Sequence, residues 1–147
     1  MKRFVFPLQR VMDWRTLQVR SEEEKLANLQ QQAEALALRE NALTAAELNS
    51  EIELLKRPSI EGSDLQALAL FQERIHKERA NLQIRRKQFE AQVVEQRKRL
   101  LKARRDVRVL EKLKESRLRT WTYLNDRETE NTAAESFLAK WAREMHQ

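Results

Sequence analysis

The chain has 147 residues and a net charge of +6; 35% of its residues are charged, 6% are aromatic, and it holds one glycine, two prolines and no cysteine. That composition starves both a globular core and the turns of a compact fold, which draw on Gly, Pro and Asn for their backbone angles. Disulfides, Cys-based zinc sites and thiol nucleophiles are excluded, and one glycine builds neither a P-loop nor a dinucleotide fingerprint.

Leu, Ala, Glu, Gln, Arg and Lys dominate the sequence, and all are good helix formers. With so few punctuating residues the chain reverses direction about once. The expected fold is all-α: a long antiparallel two-helix coiled-coil hairpin with a C-terminal helical overhang, forming a single unit over residues 1–147. Lys2 and Arg3 are followed by Gln9, Arg10 and Asp13 without an apolar stretch, so a signal peptide is not expected. No apolar run approaches the roughly 20 residues needed to span a bilayer, and a soluble, intracellular protein is expected.

The first helix is expected over about residues 8–56. Pro7 suits a first helical position, where its missing N–H costs nothing. Leu8, Met12, Val19, Leu26, Leu29, Ala33, Leu36 and Leu43 follow the 3–4 spacing of a heptad seam, with Arg15, Glu22 and Glu40 as polar seam positions. After Leu43 the frame slips, and Leu48, Ile52 and Leu55 restart it one residue late.

Residues 57–63 break the pattern and form the bend. Pro58 disfavours helical geometry at Arg57, and Gly62 can take a positive φ. Ser63 and Gln66 fit a capping box opening the second helix.

The second helix is expected over about residues 64–145. One row recurs as Leu68, Ile75, Leu82 and Phe89, resuming after Gln96 with Ala103, Leu110 and Leu124. The complementary row reads Gln72, Arg79 and Arg86, then Val93, Leu100, Val107, Lys114 and Trp121. The bend-proximal part thus has one apolar and one polar row, and the stretch from Phe89 to Leu110 is expected to pack best. The helices would run roughly 73 Å and 120 Å at 1.5 Å per residue. Asn125, Asp126, Thr129, Asn131 and Thr132 weaken helicity, so the second helix either continues or breaks near 125–132 and folds its tail back.

Closure at residues 57–64 pairs position i with about 121 − i in an antiparallel coil. This sets the acidic run Glu22-Glu23-Glu24 against Arg97-Lys98-Arg99, an opposite-charge match for an acidic first helix and a basic second one. Residues beyond about 118 are left without an intramolecular partner, among them Trp121, Tyr123, Leu124, Phe137, Leu138 and Trp141.

Catalytic machinery is missing from the pattern. His76 and His146 have no i, i+4 histidine or cysteine partner suited to a metal, and His76 fits a solvated helix face. The carboxylates sit on open helix surfaces, where nothing raises a pKa for acid–base work. No enzyme activity, catalytic residue, cofactor or metal is expected.

Three surfaces remain. The run from Arg97 to Arg105 fits either a contact to nucleic acid or anionic membrane or, more simply, a solvated face partly neutralised by the first helix. A DNA-binding zipper keeps its basic region apart from its seam, whereas here the two overlap, so no nucleic-acid partner is expected. Phe4 and Phe6 fit a staple that holds the helix ends together, whereas Trp121, Tyr123, Phe137 and Trp141, on the overhang, fit a partner surface or a tail that folds back. Ala134, Phe137, Leu138, Trp141 and Met145 form an amphipathic stripe, for which flanking Glu135 and Glu144 favour a protein over anionic lipid.

The opening Phe4-Val5-Phe6-Pro7-Leu8 with Arg10, Val11, Met12 and Arg15 resembles the start of FliJ-family flagellar export proteins. The segment Val109-Leu110-Glu111-Lys112-Leu113-Lys114-Glu115, followed by Tyr123 and Glu128, resembles that family's C-terminal signature. Of the acidic pair that often follows, this chain keeps only Glu135. The resemblance implies a cytoplasmic component of the bacterial flagellar type III export machine, peripheral to the inner membrane at the flagellar base. It implies an antiparallel coiled coil similar to a rotary-ATPase stalk, monomeric when free and reaching the membrane only through its partners. Those partners would be the export ATPase hexamer, the export gate protein and some substrate chaperones. On this reading Phe4, Phe6, Leu8, Leu110, Leu113 and Trp121 lie at the ATPase end, and Phe71 and Ile75 belong to a gate-facing patch. A virulence-type secretion counterpart and a generic homodimeric coiled-coil scaffold are the alternatives.

Overall fold

The computed structural model describes residues 3–146. Two α-helices, α1 (Gln9–Leu55) and α2 (Gly62–Met145), pack antiparallel as a hairpin, with no strand among the described residues. None of these helices is long and apolar enough to cross a membrane. The chain divides into two compact units, one of Arg20–Leu101 and one of Met1–Val19 with Lys102–Gln147.

In the unit of Arg20–Leu101 the core is a cluster of Leu43, Ile75 and Leu82, with Leu36 and Ala46 packed against it. The second row of the seam is polar, and each polar side chain of α2 meets one from α1. The Gln72 amide donates to Glu51 at 2.8 Å, and the Arg79 guanidinium to Glu47 at 3.0 Å and Thr44 at 3.3 Å. The Arg86 guanidinium donates to Glu40 at 3.2 Å. Beside the seam Arg39 donates to Glu78 at 2.8 Å.

These contacts overturn the expected slip after Leu43. The inward positions continue as Ala46, Glu47, Ser50, Glu51 and Leu54, while Leu48, Ile52 and Leu55 stay exposed. The register is held by Gln72 and Arg79, whose polar heads need acceptors on the facing helix; turning Leu48 and Ile52 inward would leave them unanswered. The best-packed apolar cluster is likewise bend-proximal. Between Phe89 and Leu110 the buried residues are Leu100, Ala103 and Gln96. Gln96 donates its amide to the Glu22 carbonyl at 3.1 Å and also to the Glu22 carboxylate. Glu22 therefore meets α2 at Gln96, three positions before its expected partner Arg99, and Arg97, Lys98 and Arg99 are exposed.

The bend closes by a cap two residues earlier than Ser63 and Gln66. The Glu61 carbonyl accepts the N–H of Asp64 at 3.1 Å and of Leu65 at 3.3 Å, which makes Glu61 the cap of α2. The Asp64 carboxylate accepts the Glu61 N–H at 3.1 Å and the Arg57 guanidinium at 2.8 Å. An ionised carboxylate beside a helix N-terminus is a stronger acceptor than a serine hydroxyl, and it gains from the helix dipole. Gly62 is therefore simply helical and has no positive φ.

In the other unit α1 opens with a tight turn. The Gln9 N–H reaches the Phe6 carbonyl at 3.1 Å, so Pro7 and Leu8 lie in a turn just ahead of the helix. Lys114 donates to Gln9 at 2.8 Å and Arg15 to Asp106 at 3.3 Å, close to the expected register. α2 passes residues 125–132 without a break. Its hydroxyls turn back onto the helix: Thr129 donates to the Asn125 carbonyl, Thr132 to that of Glu128 and Ser136 to that of Thr132, each at 2.8 Å. Back-bonding of this kind satisfies the hydroxyl within helical geometry. The overhang starts later than residue 118, because Trp121 and Asn125 are half-buried; from Asp126 to His146 every side chain is exposed.

Candidate partner-binding surfaces

The terminal unit is closed by aromatic side chains from an extended segment. Phe4 meets Trp121 with ring centroids 5.9 Å apart and planes tilted by 57°, and Phe6 is 5% exposed. Alternation in an extended chain sends Phe4 and Phe6 to one side and Val5 to the other, and Val5 is among the most exposed apolar residues. Leu8, Leu110 and Leu113 are half-buried along the seam. The six residues expected at an ATPase-facing end thus all lie in this unit, and all are turned inward to some degree. They form the clasp that holds the helix ends.

A partner would instead meet side chains that face away from the clasp. Trp14 is 56% exposed, Leu17 60% and Tyr123 65%, with Val5, Val11 and Leu118 also open. The Arg15 guanidinium lies 5.0 Å over the Trp14 ring while it bonds Asp106 at 3.3 Å and Gln18 at 3.2 Å. Trp14 is therefore held against a fixed cation, and such a contact contributes about 0.5–1 kcal/mol at an exposed site. Fixing an aromatic before a partner arrives reduces the ordering cost of binding. Sequence reasoning passed over Trp14 and Leu17. The signal was available, since both fall between the seam residues Met12, Arg15 and Val19 and so take outward heptad positions. Tyr123 was read as one of the aromatics of a partner surface, together with Trp121, Phe137 and Trp141; of these Trp121 is half-buried and the other three are exposed.

Further along the same unit Phe137, Leu138, Trp141 and Met145 are all exposed on α2, which leaves the amphipathic stripe open to solvent.

The two residues expected to face a gate part company. Ile75 is 3% exposed and lies in the core with Leu43 and Leu82, so it packs the seam and presents nothing to a partner. Phe71 is exposed at the rim of an open groove of about 210 Å³, lined also by Leu54, Leu68, Ala67 and the bonded pair Arg57 and Asp64.

The fold and these surfaces define a class: a two-helix antiparallel coiled coil that carries exposed aromatics, one of them held under a cation, in its terminal unit. Comparison of the chain with family models, with curated proteins and with solved structures finds no match.

Proposed function

We propose that the chain is a stalk-like component of the bacterial flagellar type III protein export apparatus, placed in the cytoplasm at the flagellar base. It would link the export ATPase ring to the export gate and help deliver substrate chaperones, with no bond chemistry of its own. The observation that carries this reading is the terminal unit, where the Phe4–Trp121 clasp leaves Trp14, Leu17 and Tyr123 facing outward. The motifs at the two ends of the chain resemble one family of export proteins, and both fall within this unit.

The mechanism is one of differential contact. A two-helix insert has no rotational symmetry, whereas a hexameric ring does, so ring subunits meet different side chains. Contacts that favour one nucleotide state over another shift the populations of those states and couple subunits around the ring. A Trp held by a cation and a Tyr on a continuous helix are suited to such contacts, because rigid aromatic anchors concentrate binding energy.

Affinity capture from the source organism, quantified by mass spectrometry, tests the reading. The wild-type chain is expected to recover an export ATPase, and Trp14→Ala/Tyr123→Ala to lose it with helicity unchanged. Recovery of nucleic-acid proteins, or of the chain alone, would sink the proposal. A homodimeric scaffold has one observation in its favour, the outward face of α1 over residues 35–55, which carries no charge.

A further inference from the structure

In a two-stranded coil the positions opposite the seam meet water and carry most of the charge. α2 obeys this in the unit of Arg20–Leu101, with Glu73, Arg74, Lys77, Lys87, Glu95 and Lys98 at outward positions. α1 does not. Between residues 35 and 55 its outward positions are Ala, Leu, Asn and Ile only, all of them exposed and none charged. Three of the four carboxylates of this stretch have gone elsewhere, and the fourth, Glu53, is exposed beside the bend groove at a flanking position outside this outward set. Glu40, Glu47 and Glu51 point into the seam, bonded to Arg86, Arg79 and Gln72.

Within that face Leu38, Ala45, Leu48, Ile52 and Leu55, with Asn41, repeat the 3–4 spacing of a second seam. Leu38, Leu48 and Leu55 are 63%, 56% and 76% exposed. The spacing runs 3, 4, 3, 4, 3 and reads the same from either end. An antiparallel copy of the same helix, related by a two-fold axis between Ala45 and Leu48, therefore meets it in register. Leu38 then lies opposite Leu55 of the second copy, Ala45 opposite Leu48, and Asn41 opposite Ile52. A self-complementary patch of this kind is what an isologous two-fold interface requires. An acidic helix would ordinarily repel its twin, but here Glu40, Glu47 and Glu51 are drawn to the seam side.

We propose that the outward face of α1 over residues 35–55 binds a second copy of this chain, antiparallel, to form a dimer of hairpins. The intramolecular seam gives no reason for a dimer and the expectation from sequence was a monomer; the dimer follows from the charge-free outward face alone. It does not depend on the export reading, whose ATPase-facing contacts lie in the other unit.

Sedimentation equilibrium of the full chain from micromolar to near-millimolar concentration tests the proposal. The wild type is expected to pass from monomer to dimer. Leu48→Glu places a charge beside the two-fold axis and is expected to weaken the dimer by about tenfold or more, with helicity unchanged and with the thermal midpoint unchanged at dilutions where both chains are monomeric. Leu70→Glu, at an exposed outward position on α2, is expected to leave the dimer intact. Mixing Leu48→Glu with Ala45→Lys is expected to restore a heterodimer, because position 48 of one chain faces position 45 of the other. A wild type that stays monomeric throughout would leave the face to another protein's helix and overturn the proposal. A dimer indifferent to Leu48→Glu, or a mixture that is not rescued, would overturn it too.

Discussion

Asp64 shows how much one side chain settles near the bend. Its carboxylate accepts the Glu61 N–H and the Arg57 guanidinium, closing α2 and tying it to the end of α1. Asp64→Ala is expected to lower stability by about 1 kcal/mol, the usual cost of a lost cap, measured by thermal unfolding followed by circular dichroism. Gly62 works the other way. A Cβ there would meet nothing within 4 Å, and its φ is negative, so Gly62→Ala should raise stability by about 0.4–1 kcal/mol through a less flexible unfolded chain. Gly62 was read from sequence as a bend residue with a positive φ, and Asp64 was given no role. Ser63 with Gln66 looked like the cap because the motif is common, and only the geometry shows a charged acceptor two residues ahead doing the same work better. At the other end Phe4 and Trp121 should couple by about 0.5–1.5 kcal/mol in a double-mutant cycle of unfolding free energies. A coupling near zero would mean that their rings do not hold the helix ends.

At the scale of the elements, α1 carries two apolar faces, and the sequence does not say which one the partner helix takes. Leu48, Ile52 and Leu55 drew the frame one way, but the polar row of α2 decides for the other. The seam therefore holds Glu47 and Arg79 where two leucines would serve, with about a quarter of each side chain exposed. Replacing both by Leu is expected to raise stability by about 1 kcal/mol, since a partly buried ion pair seldom outperforms apolar packing. Arg79→Ala alone should destabilise, because Glu47 then loses its partner. Both are read by urea denaturation, and a double variant weaker than the single one would refute this view of the seam. Before Leu43 the heptad was legible down to its polar members: Arg15, Glu22 and Glu40 all occupy the seam and all bond across it. In α2 the string of Asn, Asp and Thr residues at 125–132 suggested a break because such side chains compete for backbone groups in loops. Their hydroxyls instead bond the preceding turn, a choice that intrinsic propensity leaves open.

For the whole molecule, the hairpin itself was legible from one glycine, two prolines and two long heptad runs, since the break at residues 57–63 supplies one turn and little else in the sequence supplies a second. The paired termini were legible as a candidate site from the alternation of Phe4 and Phe6 and from the motifs at the two ends. Which side chains point outward was not, because an aromatic in a motif reads the same whether it anchors a partner or its own chain. Phe6 turned out to be nearly buried, whereas Trp14 and Tyr123 stand open. The division matters for experiment: changing Phe6 tests the clasp, and changing Trp14 or Tyr123 tests the surface.

The central proposal is that this terminal unit acts on a ring ATPase, and the most direct test is to add the purified chain to its cognate export ATPase and follow hexamer assembly together with ATP turnover. The expected result is that the wild type raises both, that Trp14→Ala/Tyr123→Ala raises neither while remaining fully helical, and that Leu48→Glu, in the other unit, behaves as wild type. Assembly and turnover indifferent to the wild-type chain would contradict the stalk reading outright.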